Sequence, residues 1–170
     1  MSESRIRAKN ALIALGGNVG EVRATFQGAI AEICRLAQAD LLARSSDYAT
    51  PPWPDAREPY FVNACIEIAT RLEPHALLAV MNKIEQKYGR DRGNERRWGP
   101  RTLDLDLIDY ENVALKTAEL TLPHPRLFER AFVLVPLAEI APDRRIGGQR
   151  VIDALARLST KGIERLPAAD

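Results

Sequence analysis

The stretch RRWGPRTLDLDLIDY, residues 96–110, decides how this chain folds. From residue 102 onward its apolar and polar residues alternate, which is the pattern of a β-strand with one buried face. The leucines of LDLDL then point into the core. Asp104 and Asp106 share the opposite face, with their Cα atoms about 7 Å apart. The sequence therefore predicts two carboxylates directed at the same space, on a strand that arginines precede.

This pair of carboxylates favours a metal site. Two negative charges so close repel each other unless a cation lies between them. Oxygen ligands without nearby His or Cys suit Mg²⁺, which keeps water and substrate phosphate as its other ligands. The segment from Lys83 to Arg101 adds seven basic residues and only three acidic ones, and arginine binds phosphate oxygens through two parallel hydrogen bonds. Together these features indicate a polyphosphate site, with ordinary surface aspartates and arginines as the alternative.

The remainder of the chain predicts the element order β-α-β-β-α-β. This order is typical of the ferredoxin-like α+β fold, an antiparallel sheet with both helices on one face, followed here by a helical C-terminal extension. The predicted elements are a strand at 11–15, a helix at 22–36, a weaker strand at 41–48, a proline-rich loop at 49–60, a strand at 61–70, a helix from Pro74 to Tyr88 capped by Gly89, a polar loop at 90–101, a strand at 102–110, and helical pieces at 125–130, 133–140 and 149–158.

Size and charge limit the classes of function. The 170 residues fit one domain, 1–170, in which residues 1–10 form a loose lead-in. A net charge of +1 argues against a nucleic-acid or membrane partner, and we expect a monomer. Neither a signal peptide nor a membrane span is evident. Cys34 and Cys65 lie in apolar segments and are predicted to be buried thiols rather than a disulfide, so we expect a cytoplasmic protein.

A second feature of the predicted sheet concerns small-molecule binding. Phe61 and Asn63 project from the face opposite the core, where an aromatic ring and an amide could stack on and hydrogen-bond to a flat heterocycle. The preceding loop, with Thr50 and Trp53, could form a wall of such a pocket. An aromatic side chain that merely covers the sheet is an equally good interpretation.

Residues after the last strand could close the same pocket. Arg130 and Phe132 lie in the stretch RLFERAF. His124 stands between Pro123 and Pro125 and is either part of a rigid turn or a donor to phosphate. The sequence leaves that choice open.

Longer motifs carry a family resemblance. RWGPRTLDLDL at 97–107 is preceded by ALGGN, TPPW, FVNACIEI and IEQKYGR and followed by LPHPRLFERAFVLVPL. In this order they resemble the 6-hydroxymethyl-7,8-dihydropterin pyrophosphokinases of folate biosynthesis. The resemblance implies transfer of the pyrophosphoryl group of ATP to the hydroxymethyl group of the dihydropterin, with release of AMP and dependence on two Mg²⁺ ions. Small molecules, ATP and the dihydropterin, are thus the expected partners.

The same resemblance implies a set of site residues. Asp104 and Asp106 would hold the metal ions. The dihydropterin would stack between Phe61 and Phe132 and be read at its edge by Asn63, Thr50 and the backbone of Pro51–Trp53. The catalytic arginines would be Arg90, Arg92, Arg97 and Arg101, and the ATP-binding residues Glu85, Trp98, Arg101, His124 and Arg130. In this chain Phe61 stands where the family often has tyrosine, and Gly17 where it often has serine.

Two other classes of protein share parts of this pattern. A nucleotidyltransferase of the polymerase-β type also combines a Gly-Gly turn with a D-x-D motif, but places them about a dozen residues apart. Here Gly17 and Asp104 are 87 positions apart. An RNA-recognition module has the same element order and stacks bases on sheet aromatics. This chain lacks the aromatic-rich central strand, and its charge gives little attraction for RNA.

Overall fold

The computed structural model describes residues 6–52, 57, 59–89, 102–111 and 113–169. The polar loop predicted at 90–101 lies outside these residues. No helix in the described part of the chain is both long and apolar enough to span a membrane.

The described chain folds into a mixed α/β structure around one antiparallel sheet. The main elements of the predicted order are confirmed, with shifted bounds. They are β1 (Lys9–Gly17), α1 (Val22–Leu36), β2 (Asp40–Arg44), β3 (Tyr48–Thr50), β4 (Phe61–Thr70), α2 (Pro74–Lys87), β5 (Asp104–Tyr110), β6 (Leu115–Lys116), β7 (Thr121–Leu122), a 3-10 turn (Leu127–Glu129), α3 (Ala131–Ile140), β8 (Arg145–Ile146), β9 (Gln149–Arg150), α4 (Val151–Leu155) and β10 (Glu164–Arg165).

The strand order of the sheet places β1 and β4 at its centre. The order is β10-β3-β4-β1-β5, and β2 also pairs with β4. All strand pairs of this sheet in the described part of the chain are antiparallel. The first strand is longer than predicted, so that Lys9 and Asn10, assigned to the lead-in by sequence, belong to the sheet.

The main core lies between the sheet and the helices α1 and α2. Because β-strand side chains alternate between faces, every second residue of β1, β4 and β5 enters this core. Helix α2 starts with Pro74 at its first turn and ends before Gly89, whose φ is +88°. Both features are typical of helix ends. The fully buried core side chains include Phe26, Ile33, Leu77, Met81, Ile84, Ile13, Leu15, Ile66, Ile68 and Leu103.

The second face of the sheet is only partly open, which the sequence did not predict. Helix α3 covers this face and packs on a second core that contains Leu12, Cys65 and Ile108. The Cys65 thiol lies 3.7 Å from the carbonyl oxygen of Val133 in α3. The C-terminal extension therefore forms a third layer. At the end of the face where β4 and β5 start, Phe61, Asp104 and Asp106 stay partly exposed.

The strand predicted at 41–48 is divided into β2 and β3. Ser45 lies between them, and its N–H donates to the Cys65 carbonyl at 2.9 Å. The Ser45 hydroxyl oxygen accepts the Cys65 N–H, also at 2.9 Å. A side-chain oxygen thus takes the place of a backbone carbonyl, and both short strands stay on β4 although the regular ladder is interrupted.

Candidate active site

The register of the sheet brings the two predicted halves of the site together. In β1, Gly16 pairs with Asn63 on one side and with Asp104 on the other. Ala14 pairs in the same way with Cys65 and Asp106. Directly paired residues of antiparallel strands point to the same face. The amide of β4 and the two carboxylates of β5 therefore occupy one face of the sheet.

Gly16 leaves an opening between the amide and the first carboxylate. A Cβ atom added at Gly16 would lie 3.1 Å from Asn63 Oδ1 and 3.9 Å from Asp104 Cβ. A glycine inside a strand often marks such a close approach. The sequence identified Gly16 only as the end of a strand, so its place in the floor of the site is a finding of the tertiary structure.

Asn63 and Thr50 form a buried polar pair at this floor. Their exposed fractions are 7% and 5%. Asn63 Nδ2 donates to Thr50 Oγ1 at 2.8 Å, which fixes the orientation of the amide. Thr50 pairs in register with Phe61, whose half-buried ring borders the same face. An oriented amide beside an aromatic ring is suited to recognise the edge of a flat, polar heterocycle.

The start of α3 contributes Arg130 and Phe132, which form an aromatic wall of the candidate site. Phe132 is 39% exposed although it is a large apolar residue. The Arg130 guanidinium lies 5.8 Å from the centre of the Phe132 ring, a cation–π distance. Arg130 Nη1 also approaches Asp106 Oδ2 at 3.8 Å. One arginine therefore connects the aromatic wall with the second carboxylate.

His124 lies close to the same charges. Burial lowers the pKa of its imidazole, the Asp106 charge acts to raise it, and the charges of Arg130 and Arg126 lower it further. The ring is accordingly neutral at pH 7. Its Nδ1 accepts the Arg126 N–H at 3.2 Å, so the proton resides on Nε2. The Nε2–H is a donor of the kind that a phosphate oxygen accepts, and the role of His124 as a phosphate donor stays a prediction.

Glu85, which is predicted to lie near the nucleotide, contacts the strand of the aspartates. It is 1% exposed, and its Oε2 accepts the backbone N–H of Leu105 at 2.9 Å. Leu105 lies between Asp104 and Asp106 on β5, the last strand of the sheet path. The Glu85 carboxylate therefore accepts the hydrogen bond that a neighbouring strand would otherwise accept, at the residue between the two aspartates.

Replacement of Glu85 should separate its acceptor role from its charge. In Glu85→Leu the buried Leu105 N–H loses an acceptor, and we expect the free energy of unfolding to fall by about 1–3 kcal/mol. Glu85→Gln keeps an oxygen acceptor and should lose clearly less. Urea denaturation of both variants measures the difference, and equal losses would contradict the acceptor role.

Several predicted site residues lie outside the described part of the chain, and Pro51 lies at the edge of a described range. Pro51 follows β3 and is exposed. The residues that lie outside the described part of the chain are Trp53, Arg90, Arg92, Arg97, Trp98 and Arg101.

The two aspartates fit a magnesium site shared with a substrate. Within the described ranges no group of three or more His, Cys, Asp or Glu side chains could enclose a metal by itself. The Asp106 side chain is 45% exposed and Asp104 is half-buried. Open carboxylates of this kind suit Mg²⁺, which needs one or two protein carboxylates and completes its shell with water and phosphate.

A separate cavity of about 700 Å³ lies beneath the C-terminal segment. It is lined by Arg23, Arg44 and Arg165, but these cations already have partners. Arg23 and Arg44 pair with Asp47 at 2.9 and 3.0 Å, and Arg165 with Glu139 at 3.5 Å. Since none of the described site residues line this cavity, we place the candidate active site at the open end of the sheet.

Solved structures share the overall arrangement. A crystal structure of an HPPK-DHPS protein in complex with substrates matches 93% of this chain with a TM-score of 0.70 and 14% identity. Wild-type HPPK-DHPS of Plasmodium falciparum with pteroate matches 92% with a TM-score of 0.72 and 12% identity. The chain spans 47% and 43% of these longer proteins, so the likeness concerns the fold of one part of each.

Sequence relatives match the chain almost end to end. The 2-amino-4-hydroxy-6-hydroxymethyldihydropteridine pyrophosphokinase of Methylorubrum extorquens is 49% identical over 92% of this chain and 98% of its own length. The protein of the same name from Pseudomonas aeruginosa is 42% identical over 92% and 96%. The model of the family 7,8-dihydro-6-hydroxymethylpterin-pyrophosphokinase matches residues 12–142, which include both carboxylates, the buried amide and the aromatic wall. The chain therefore belongs to the 7,8-dihydro-6-hydroxymethylpterin-pyrophosphokinase family.

Proposed function

We propose that this protein transfers the pyrophosphoryl group of ATP to the hydroxymethyl group of 6-hydroxymethyl-7,8-dihydropterin, releasing AMP, as a step of folate biosynthesis. One observation carries the proposal. The register of β4, β1 and β5 places the Asn63 amide and the Asp104 and Asp106 carboxylates on one open face, separated by a glycine. A heterocycle and a metal-bound polyphosphate can therefore meet there.

The dihydropterin occupies the side of β3 and β4. The amide of Asn63, oriented by Thr50, binds the ring edge. Phe61 and Phe132 stack on the two ring faces, and the backbone at Pro51–Trp53 completes the edge contacts. Stacking and edge hydrogen bonds fix the direction of the hydroxymethyl group, so that its oxygen faces the phosphates.

ATP occupies the side of β5. Arg130 and the Nε2–H of His124 bind phosphate oxygens next to Asp106. Phosphate handling is assigned to Arg90, Arg92, Arg97 and Arg101 and ATP binding to Trp98, as the family resemblance implies. Glu85 supports the strand of the carboxylates from below.

The chain performs little covalent chemistry in this reaction. Asp104 and Asp106 would hold Mg²⁺, which would neutralise part of the charge of the polyphosphate. The arginines stabilise the charge that develops on the transferred group, and the aromatic walls hold the alcohol in line with the β-phosphorus.

Finer features of the proposal are supported by separate observations. Two Mg²⁺ ions are proposed because two carboxylates and a polyphosphate together offer enough oxygen ligands for a pair of ions. The strand order and the position of α1 and α2 support a ferredoxin-like topology.

Both cysteines are free thiols, which supports a cytoplasmic protein. We propose a monomer, because the carboxylates, the buried amide and the residues at the start of α3 lie together within one fold.

Product analysis tests the proposed activity directly. The protein is incubated with Mg²⁺, ATP and 6-hydroxymethyl-7,8-dihydropterin, and the nucleotides are separated by chromatography. We expect AMP in a 1:1 ratio to diphosphorylated pterin, and no AMP when the pterin is omitted. Formation of ADP would indicate a simple kinase, and release of pyrophosphate a nucleotidyltransferase. Either product would contradict the proposal.

A further inference from the structure

The C-terminal segment 162–167 lies against Thr50 and Pro51, which form one wall of the proposed dihydropterin subsite. Its strand β10 pairs with β3, with Glu164 opposite Ala49 and Arg165 opposite Tyr48. Thr50, which orients the Asn63 amide, is the last residue of β3, and Pro51 follows it. The family model matches residues 12–142, so this segment lies beyond the matched range.

Gly162 makes the closest approach to that wall. Its φ is +83°, and the Ile163 N–H donates to the Thr160 carbonyl at 3.1 Å, which closes a tight turn. A Cβ atom added at Gly162 would lie 2.7 Å from Pro51 Cγ and 3.4 Å from Pro51 Cδ. The first distance is too short for two carbon atoms in contact, and the proline ring cannot rotate away as a flexible side chain would. Glycine is therefore the one residue that lets the turn rest on Pro51.

The segment after Gly162 is held in place at three further points. Arg165 Nε donates to Ser46 Oγ at 2.8 Å. The Leu166 N–H donates to the Asp47 carbonyl at 2.8 Å, and Arg23 Nη2 donates to the Pro167 carbonyl at 2.5 Å. Because these bonds restrain the segment, a side chain at 162 would displace Pro51 as well as the turn.

The same anchors extend to the helix of the aromatic wall. Glu139 of α3 accepts hydrogen bonds from the Ser46 N–H at 2.9 Å and the Tyr48 hydroxyl at 2.8 Å. Burial first, and then the Glu139 contact, raise the pKa of Tyr48 to about 12, so its hydroxyl remains a donor at neutral pH. Strands β3 and β10 and helix α3 are thus joined through the side chains of Tyr48, Arg165 and Glu139.

We propose that Gly162 is a positioning residue for the dihydropterin subsite. Through its contact with Pro51 it sets the position of the Thr50–Pro51 wall, and the anchored C-terminal segment keeps that wall in place. This inference rests on the proposed function, since it assigns the wall to the dihydropterin. The inference predicts an effect on the affinity for the dihydropterin and none on the affinity for ATP.

The variant Gly162→Ala tests the contact. Direct binding of 6-hydroxymethyl-7,8-dihydropterin is measured by fluorescence in the presence of Mg²⁺ and a non-hydrolysable ATP analogue. We expect the pterin Kd to rise about 10-fold, because a small misplacement of positioning groups has large effects. The Kd of the ATP analogue should stay within about twofold, whereas a merely structural defect would weaken both ligands. A pterin Kd within twofold of the original value would overturn the inference.

Gly148→Ala is the matched control for backbone strain. Gly148 has a φ of +80°, and no heavy atom lies within 4 Å of its added Cβ. Its alanine variant carries similar strain without a contact on the wall, and both Kd values should stay near those of the original protein. An equal loss of pterin affinity in Gly148→Ala would assign the effect to strain and overturn the inference.

The contact can also be removed from the other side. In a Pro51→Ala background the ring atoms that meet the added Cβ are absent, so Gly162→Ala should then change the pterin Kd less than twofold.

If Gly162→Ala does not fold, Arg165→Ala releases one anchor and should still raise the pterin Kd about threefold with ATP binding unchanged. Unchanged pterin binding in Arg165→Ala would contradict the inference. If the original protein binds no dihydropterin, the proposed function itself fails, which is a different result.

Discussion

Replacing Asp106 by alanine is expected to lower kcat by about 10³-fold or more, because a bound divalent ion is worth several kcal/mol to the transferred charge. Asp104→Ala should have a similar effect. The fold should persist, since the Asp106 side chain is 45% exposed and its contact with Arg130, at 3.8 Å, is an open ion pair of little value to stability. We expect the free energy of unfolding to change by less than about 0.5 kcal/mol for Asp106→Ala.

Two measurements and one control define this experiment. Release of AMP gives kcat, and electron paramagnetic resonance of Mn²⁺ gives metal binding in the presence of a non-hydrolysable ATP analogue. Asp109→Asn is the matched control, because Asp109 lies on the same strand near Arg144, away from the open end of the face. It should retain both turnover and Mn²⁺ binding. Near-normal turnover of Asp104→Ala or Asp106→Ala with Mg²⁺ would disprove the metal role.

The second large effect is expected at Asn63. Asn63→Leu keeps the approximate volume but removes an amide that is 93% buried and oriented by Thr50. Each hydrogen bond lost to a bound ring leaves a polar group of the ligand unpaired and costs about 1–3 kcal/mol. With two such bonds, the dihydropterin Kd should rise about 10²-fold or more, while the Kd of the ATP analogue remains nearly constant.

Thr70→Val provides the control for loss of a buried polar group. Thr70 lies at the other end of the same strand, is 1% exposed, and its hydroxyl donates to the Ala37 carbonyl at 3.0 Å. This variant should lower stability without changing pterin affinity. If Asn63→Leu and Thr70→Val weaken pterin binding equally, the amide has no direct part in recognition. Fluorescence titration of the pterin with both variants decides between these outcomes.

The alternation of TLDLDLIDY was sufficient to predict where the carboxylates point. Leu103, Leu105 and Leu107 lie in the main core as expected, and both aspartates share the other face. The same reasoning correctly placed Phe61 and Asn63 opposite the core set of β4. These predictions succeeded because strand periodicity is a local property that a few residues are enough to establish.

Strand periodicity could not predict which part of the second sheet face is covered by other elements. The sequence predicted helices after residue 125 but not the surface on which they pack. The burial of Cys65 was predicted from its apolar segment, but its cause, and the burial of Ile108, became known only from the packing of α3. Glu85 illustrates the same limit, because a lone acid on a predicted helix gives no sign that its partner is a backbone N–H of β5.

Short elements near the chain end were missed for a related reason. Strand β10 has two residues, too few for any periodicity, and it exists only because β3 offers an edge on which to pair. Its closeness to the Thr50–Pro51 wall depends on contacts between residues more than a hundred positions apart in sequence. No local pattern carries that information.

The sequence by itself determined the order of the main helices and strands, the facing of the two aspartates and the amide, and the family, because these depend on local periodicity and on contiguous motifs. Only the tertiary structure decided that Gly16 opens a gap between Asn63 and Asp104, that α3 brings Arg130 to Asp106, and that Gly162 rests on Pro51. These contacts arise from strand register and from packing between distant segments, which are set by the fit of the whole core rather than by any single stretch of residues.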